Sequence, residues 1–163
     1  MSRLLSSCLL WLLIALLAGC GFRLAGTTPL PADFRRIYLV TSDFDRRQQE
    51  ELRARLQRAG ADVSLEPAAG RVKLSVRLKS VADRRMATSA GSGKTVKRVT
   101  RQLDYSVRGA DGQLLAPERT LTQQSDLRFD EDNLLSSSEE KDAVVKDLEK
   151  SLYEQLIRQL QSI

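Results

Sequence analysis

Gly93, Lys94 and Thr95 stand together in SAGSGKTVKR, residues 89–98. A glycine followed by Lys and a hydroxyl residue ends the loop that cradles nucleotide phosphates. That loop needs another Gly five residues before Gly93, and Thr88 stands there instead. It also needs a helix directly behind it, with its N-terminus facing the phosphates. The residues that follow are rich in Val, Thr and Tyr, which favours a strand. No nucleotide site is expected. The chain has no His, and its two Cys are Cys8 and Cys20. The usual transition-metal sites and the Ser-His-Asp or Cys-His nucleophiles therefore cannot be assembled. Asp130-Glu131-Asp132 is the densest acidic run, but it lacks the twelve-residue ligand spread and turn glycine of a calcium loop. It is expected to be a solvated loop leading into a helix. Nothing points to an enzyme, a metal or a cofactor.

The compartment is written at the N-terminus. Arg3 is followed by Leu4 and Leu5 and by an unbroken apolar run from Leu9 to Ala18. A charged start, a short apolar stretch and a small-residue exit make an export signal. Leu4 to Ala18 is interrupted by Ser6 and Ser7 and falls short of the roughly 20 residues of a membrane span. Leu17-Ala18-Gly19-Cys20 resembles the lipobox of bacterial lipoproteins. That resemblance implies removal of residues 1–19 and acylation of Cys20 with an S-diacylglycerol and an N-acyl chain. Two acyl chains already give stable anchoring. Gly21 replaces the Asp that would retain an enterobacterial-type lipoprotein at the inner membrane, so the outer membrane is favoured. Residues 20–34 are then a lipidated N-terminus and extended linker, kept from helix by Pro29 and Pro31. Residues 35–163 form one domain with no disulfide to staple it.

That domain must place its charges on regular elements. Arg35–Val40 is a short strand candidate. Residues 42–60 form a helix with Ser42 and Asp45 as its capping pair, Glu51 and Arg55 in ion-pair order, and Gly60 as its stop. Val72, Leu74, Val76 and Leu78 alternate strictly with basic and polar residues, the mark of a half-buried strand. Val81 breaks the alternation and predicts a bulge. Val99, Leu103, Tyr105 and Val107 fit a second strand in which Arg101 is the exception. The same stretch would also line a helix face, but its β-branched content and the turn at Gly109–Gly112 favour strand. Residues 119–129 give a third. A last helix carries Val145, Leu148, Leu152, Leu156 and Leu160 in one stripe, with Ser136 and Glu139 or Ser137 and Glu140 as its capping box. The expected fold is α+β, with two helices on one face of a mixed four-stranded sheet.

Charge is concentrated along this order. Residues 71–108 hold 11 basic and 2 acidic residues, whereas residues 109–163 hold 6 and 12. The central hairpin is the positive pole, and it attracts anions. An amphipathic sheet with a solvated face would explain the alternation of Arg71, Lys73, Arg77 and Lys79, but not why Asp83 and Asp104 are the only acids among them. An exported chain does not meet nucleic acid. The polyanions of the envelope are phospholipid head groups and lipopolysaccharide.

With the lipobox and CGFRL at 20–24, the strand, helix, basic hairpin and EQLIRQL at 154–160, the chain resembles the LPS-assembly lipoprotein family LptE. The resemblance covers nearly the whole chain in order. It implies a non-enzymatic outer-membrane lipoprotein that plugs the lumen of the β-barrel LptD from the periplasmic side. Such a protein assists assembly of the barrel and binds lipopolysaccharide for delivery to the outer leaflet. It further implies that Lys94, Lys97 and Arg98, beside the hairpin turn, contact lipopolysaccharide. Lys141 is the nearest match to a second basic position at the last helix. The alternative is an envelope lipoprotein that scaffolds another complex.

Overall fold

The structure, a computed structural model, describes residues 29–88, 94–130 and 134–163. The signal segment, Cys20 and the glycines of the hairpin turn lie outside the described residues, as does the side chain of Lys94. Five strands form one mixed sheet: β1 (Arg36–Ser42), β2 (Asp62–Ser64), β3 (Val72–Thr88), β4 (Lys94–Arg108) and β5 (Leu114–Asp130). Their order is β2-β1-β3-β4-β5. β1 runs parallel to β2 and β3, and β3-β4-β5 is an antiparallel meander. The expectation of four strands misses β2, three residues with one buried side chain, Val63. A single apolar residue shows no period, so pairing with β1 makes this strand.

Helix α1 (Arg46–Arg58) and helix α2 (Leu134–Gln161) pack on one face of the sheet. Asp45 caps α1 by accepting from the Gln48 amide while the Gln48 side chain accepts from the Asp45 amide. Ser42, the other half of the expected capping pair, ends β1 instead. At the far end the Gly60 amide donates to the Gln57 carbonyl and the Ala61 amide to the Leu56 carbonyl. This pair of bonds turns the chain at a residue with positive φ, here +95° at Gly60. α2 begins at Leu134, so Ser136 and Ser137 lie inside the helix rather than at its cap. Leu30 and Phe34, in the expected linker, are buried, and Ala32–Phe34 forms a 3-10 turn.

β1 covers β3 only from Val72 to Arg77. Beyond that, β3, β4 and β5 continue as a three-stranded arm. β3 and β5 are each 17 residues over their whole length, roughly 55 Å at strand rise. The predicted break at Val81 is a register shift between Val81 and Arg84. Two apolar clusters hold the helices down. The larger joins Ile37, Leu39, Leu52, Leu56, Leu74 and Leu156 with their neighbours. The smaller, under the arm, is Val99, Leu127 and Leu148, with Val144 and Val145 beside it.

A polar layer separates them. Arg101 and Gln123 are Cα partners across β4 and β5 and fall between the clusters. Above them stands Glu149 of α2, 1% exposed. Its carboxylate accepts from Arg47 at 3.0 Å and Gln48 at 2.7 Å, and Arg101 Nε lies 3.9 Å away. Gln123 donates to Gln155 at 3.1 Å. The arginine that breaks the alternation of β4 thus meets a buried carboxylate.

Candidate functional site

Alternation along a strand sends neighbouring side chains to opposite faces, and this separates the residues picked from the sequence. Lys97 shares the parity of Val99, on the helix side, and is half-buried. Arg98 points to the other face, which no helix covers. Lys94 opens β4 opposite Asp130, and its side chain lies outside the described residues. Lys97 and Arg98 are therefore neighbours in sequence but do not form one cationic surface.

Arg98 is also engaged. Its guanidinium donates to both oxygens of Asp126, at 2.6 and 2.8 Å, across the β4–β5 ladder. Those hydrogen bonds raise the pKa of Arg98 and hold the Asp126 carboxyl below the usual carboxylate range. The structure supplies cations that the sequence reading did not single out. Arg84 of β3 is the Cα partner of Arg98. Arg128 of β5 is paired with Val96, one outward position along from Arg98. Arg84 and Arg128 are exposed and make no ion pair among the described residues. Arg84, Arg98 and Arg128 together span the three strands of the arm on its open face, with Asp126 neutralising one charge. Arg85, the Cα partner of Lys97, is exposed as well. Pairing register was the missing signal: Arg84 and Arg98 stand 14 positions apart in sequence and side by side in the sheet.

Nearer the base, three cations of the same face are answered by acids. Lys79 pairs with Asp104, which also accepts from Thr120 at 2.7 Å. Burial pushes the Asp104 carboxyl up. The hydrogen bonds from Lys79 and Thr120 and the charges of Lys79 and Arg77 outweigh it, and the group sits below its ordinary value. Arg71 reaches Asp62 at 2.7 Å, and Arg77 lies 3.7 Å from Asp43. A hollow of about 190 Å³ lies here, lined by Ser42, Ser75, Ser106, Asp104 and Glu118 among others. It is smaller than the roughly 300–1,000 Å³ of a small-molecule pocket. Lys141 of α2 reaches Asp83 of β3 at 2.5 Å, which ties the start of the helix to the arm.

Among the described residues no three His, Cys, Asp or Glu stand together to hold a metal, and no helix is long and apolar enough to cross a membrane. The arm can bind phosphates through charge-assisted hydrogen bonds from Arg84 and Arg128.

A family model described as LptE, lipopolysaccharide-assembly, matches residues 34–160. No curated protein matches the sequence. Among solved structures, the fold is similar to an uncharacterized lipoprotein B from Nitrosomonas europaea (TM-score 0.64, 19% identity, 87% of this chain and 91% of that one). It is also similar to the rare lipoprotein B from Shewanella oneidensis (0.62, 16%, 78% and 94%). A minor lipoprotein from Acinetobacter baumannii gives 0.60 at 18%, over 82% and 94%.

Proposed function

The chain belongs to the lipopolysaccharide-assembly family LptE, and from that premise we propose that it is a non-enzymatic lipoprotein of the outer membrane. Acyl chains on Cys20 anchor it on the periplasmic side. The folded domain plugs an LptD-type β-barrel, helps that barrel assemble, and binds lipopolysaccharide on its way to the outer leaflet. The family match over residues 34–160 carries this reading. The open face of the sheet supports it: large barrel lumens are polar, and Lys73, Arg77, Lys79 and Thr122 are exposed there.

Lipid phosphates are bound at the far end of the arm. Arg84 and Arg128 join the expected Arg98 as contact residues on the open face; the expected Lys94 stands at the same end of the arm, and Lys97 would reach a ligand from the helix side instead. Reversing charge at Arg84, Arg98 and Arg128 is expected to weaken binding of labelled lipopolysaccharide about tenfold or more. Far-ultraviolet circular dichroism should stay unchanged, and added salt should reproduce the loss. Unaltered binding rejects the assignment. The barrel partner is tested by mild detergent extraction and capture of the tagged chain, which should bring down a large β-barrel. A membrane-anchored chain that captures none would fit the rival scaffold instead.

A further inference from the structure

A second hollow lies at the end of the sheet opposite the arm. It measures about 430 Å³ and is lined by Ala32, Asp33, Arg36, Gly70, Asp111 and Leu115 among others. That is within the roughly 300–1,000 Å³ of a ligand pocket. The 3-10 turn, the start of β3 and the turn between β4 and β5 meet there. Arg36 reaches over Gly70, whose φ is +73°. A Cβ at Gly70 would stand 3.4 Å from a terminal nitrogen of Arg36, so glycine leaves the guanidinium its room. Asp111 is held in place by the Gln113 amide, which donates to its Oδ1 at 3.0 Å. Arg36, Asp33 and Asp111 are exposed, and among the described residues none of them makes an ion pair. One cation and two anions thus share a hollow without answering each other. Leu115 on its wall and Leu114 beside it are 39% and 50% exposed. Adjacent leucines left this open mark a surface that meets a partner or a lipid. The chain also enters the fold at this end. The Leu30 amide donates to the Ala59 carbonyl at 3.0 Å. Ten residues separate Leu30 from Cys20, a span of at most about 35 Å.

We propose that this hollow binds the head group of a phosphatidylethanolamine-type phospholipid. Arg36 donates to the phosphate, Asp33 and Asp111 accept from the ammonium, and Leu114 and Leu115 lie against the acyl chains. The proposal rests on the reading that Cys20 anchors the chain on the periplasmic side. An anchor there keeps the hollow within reach of the leaflet that holds it. The charges select the head group. A purely anionic one would meet two carboxylates with one guanidinium, and choline has no N–H to donate to them. A phospholipid held here sets the base level with the periplasmic leaflet, so that the arm points away from it, toward the outer leaflet. The two ends of the molecule then take lipids of different chemistry.

The test uses the chain as isolated from envelopes, in a non-ionic detergent, and follows its backbone amides by NMR as dihexanoyl-phosphatidylethanolamine is added. The amides of Gly70, Gly109 and Leu115 should shift with a Kd of about 1 mM or tighter. Arg36→Gln should weaken that binding about tenfold, and so should Asp33→Asn with Asp111→Asn. The phosphatidylcholine analogue should bind about tenfold more weakly, as should inorganic phosphate or ethanolamine added alone. Absence of shifts at these amides overturns the proposal. So does equal binding of the choline analogue, which would leave only an apolar patch, or equal binding of inorganic phosphate, which would leave a site for a free ion. A folded Arg36→Gln chain that binds like its parent overturns it too. Mass spectrometry of Cys20 tests the anchor separately. An unacylated chain that binds the lipid supports the site and overturns the anchor, whereas an acylated chain without shifts overturns the site alone.

Discussion

Asp104 couples the stability of the sheet to pH. Its folded carboxyl titrates below the unfolded value of about 3.8. As pH falls, the unfolded chain therefore binds the proton first, and stability falls with it. The contribution is complete above about pH 4 and is lost as pH drops through the lower folded value. Asp104→Asn should cost about 1–3 kcal/mol at neutral pH, because it leaves Lys79 without its counter-ion. It should also flatten the acid limb of a urea-unfolding series, and an unchanged limb would show that another carboxylate sets it. Glu149 is a different case, a buried carboxylate between α1 and β4. Glu149→Leu alone should destabilise by about 3–5 kcal/mol, since it strands Arg101 and Arg47. Glu149→Leu with Arg101→Leu should recover most of that loss, because an apolar layer would fuse the two clusters. Chemical denaturation of the two variants separates these outcomes. At this scale the sequence showed the anomaly, Arg101 among apolar residues, but not its partner, which lies 48 positions away.

The elements that formed as expected are those whose instructions are local. The alternation of Val72 to Leu78 and the stripe from Val145 to Leu160 each show their own period, and the Glu51 carboxylate accepts from Arg55 at 2.9 Å as its spacing predicts. Gly60 is local too. Gly60→Ala should destabilise the fold by about 1 kcal/mol, because its φ of +95° is strained for any side chain. A thermal melt detects this, and no loss would mean that the turn relaxes. The elements missed or misplaced depend on other parts of the chain. β2 exists through Arg36, Ile37 and Tyr38 of β1. α2 starts ahead of its serines, and Ser137 is buried rather than capping. β5 begins at Leu114, well before the residues whose alternation announces it, because β4 templates it past Pro117.

For the whole molecule, the two clusters predict two tiers of stability. The arm cluster has three buried members and the base cluster many more, so the arm should open at lower free energy. Hydrogen exchange should be faster in residues 137–147 of α2 than in 150–160, and Leu148→Ala should speed the first without changing the second. Uniform exchange along α2 would show a single cooperative unit. The candidate site was legible at this scale as a pole of charge, and the pole is real. Its internal order was not legible, because strand register decides which cations are answered. Asp126 takes Arg98 and Asp104 takes Lys79, while Arg84 and Arg128 are left exposed.

The polar layer at Arg101, Gln123 and Glu149 also bears on how such a molecule can change over generations. Among the described residues, the apolar cluster beyond it, Val99, Leu127 and Leu148 with Val144 and Val145, is separate from the cluster of the base. Inserting or deleting matched residues in β3, β4, β5 and the first turns of α2 would alter reach by about 3.3 Å per strand position, while Leu39, Leu52, Leu74 and Leu156 keep their places. The arm is a part whose length can be fitted to a host envelope without redesigning the base that holds it.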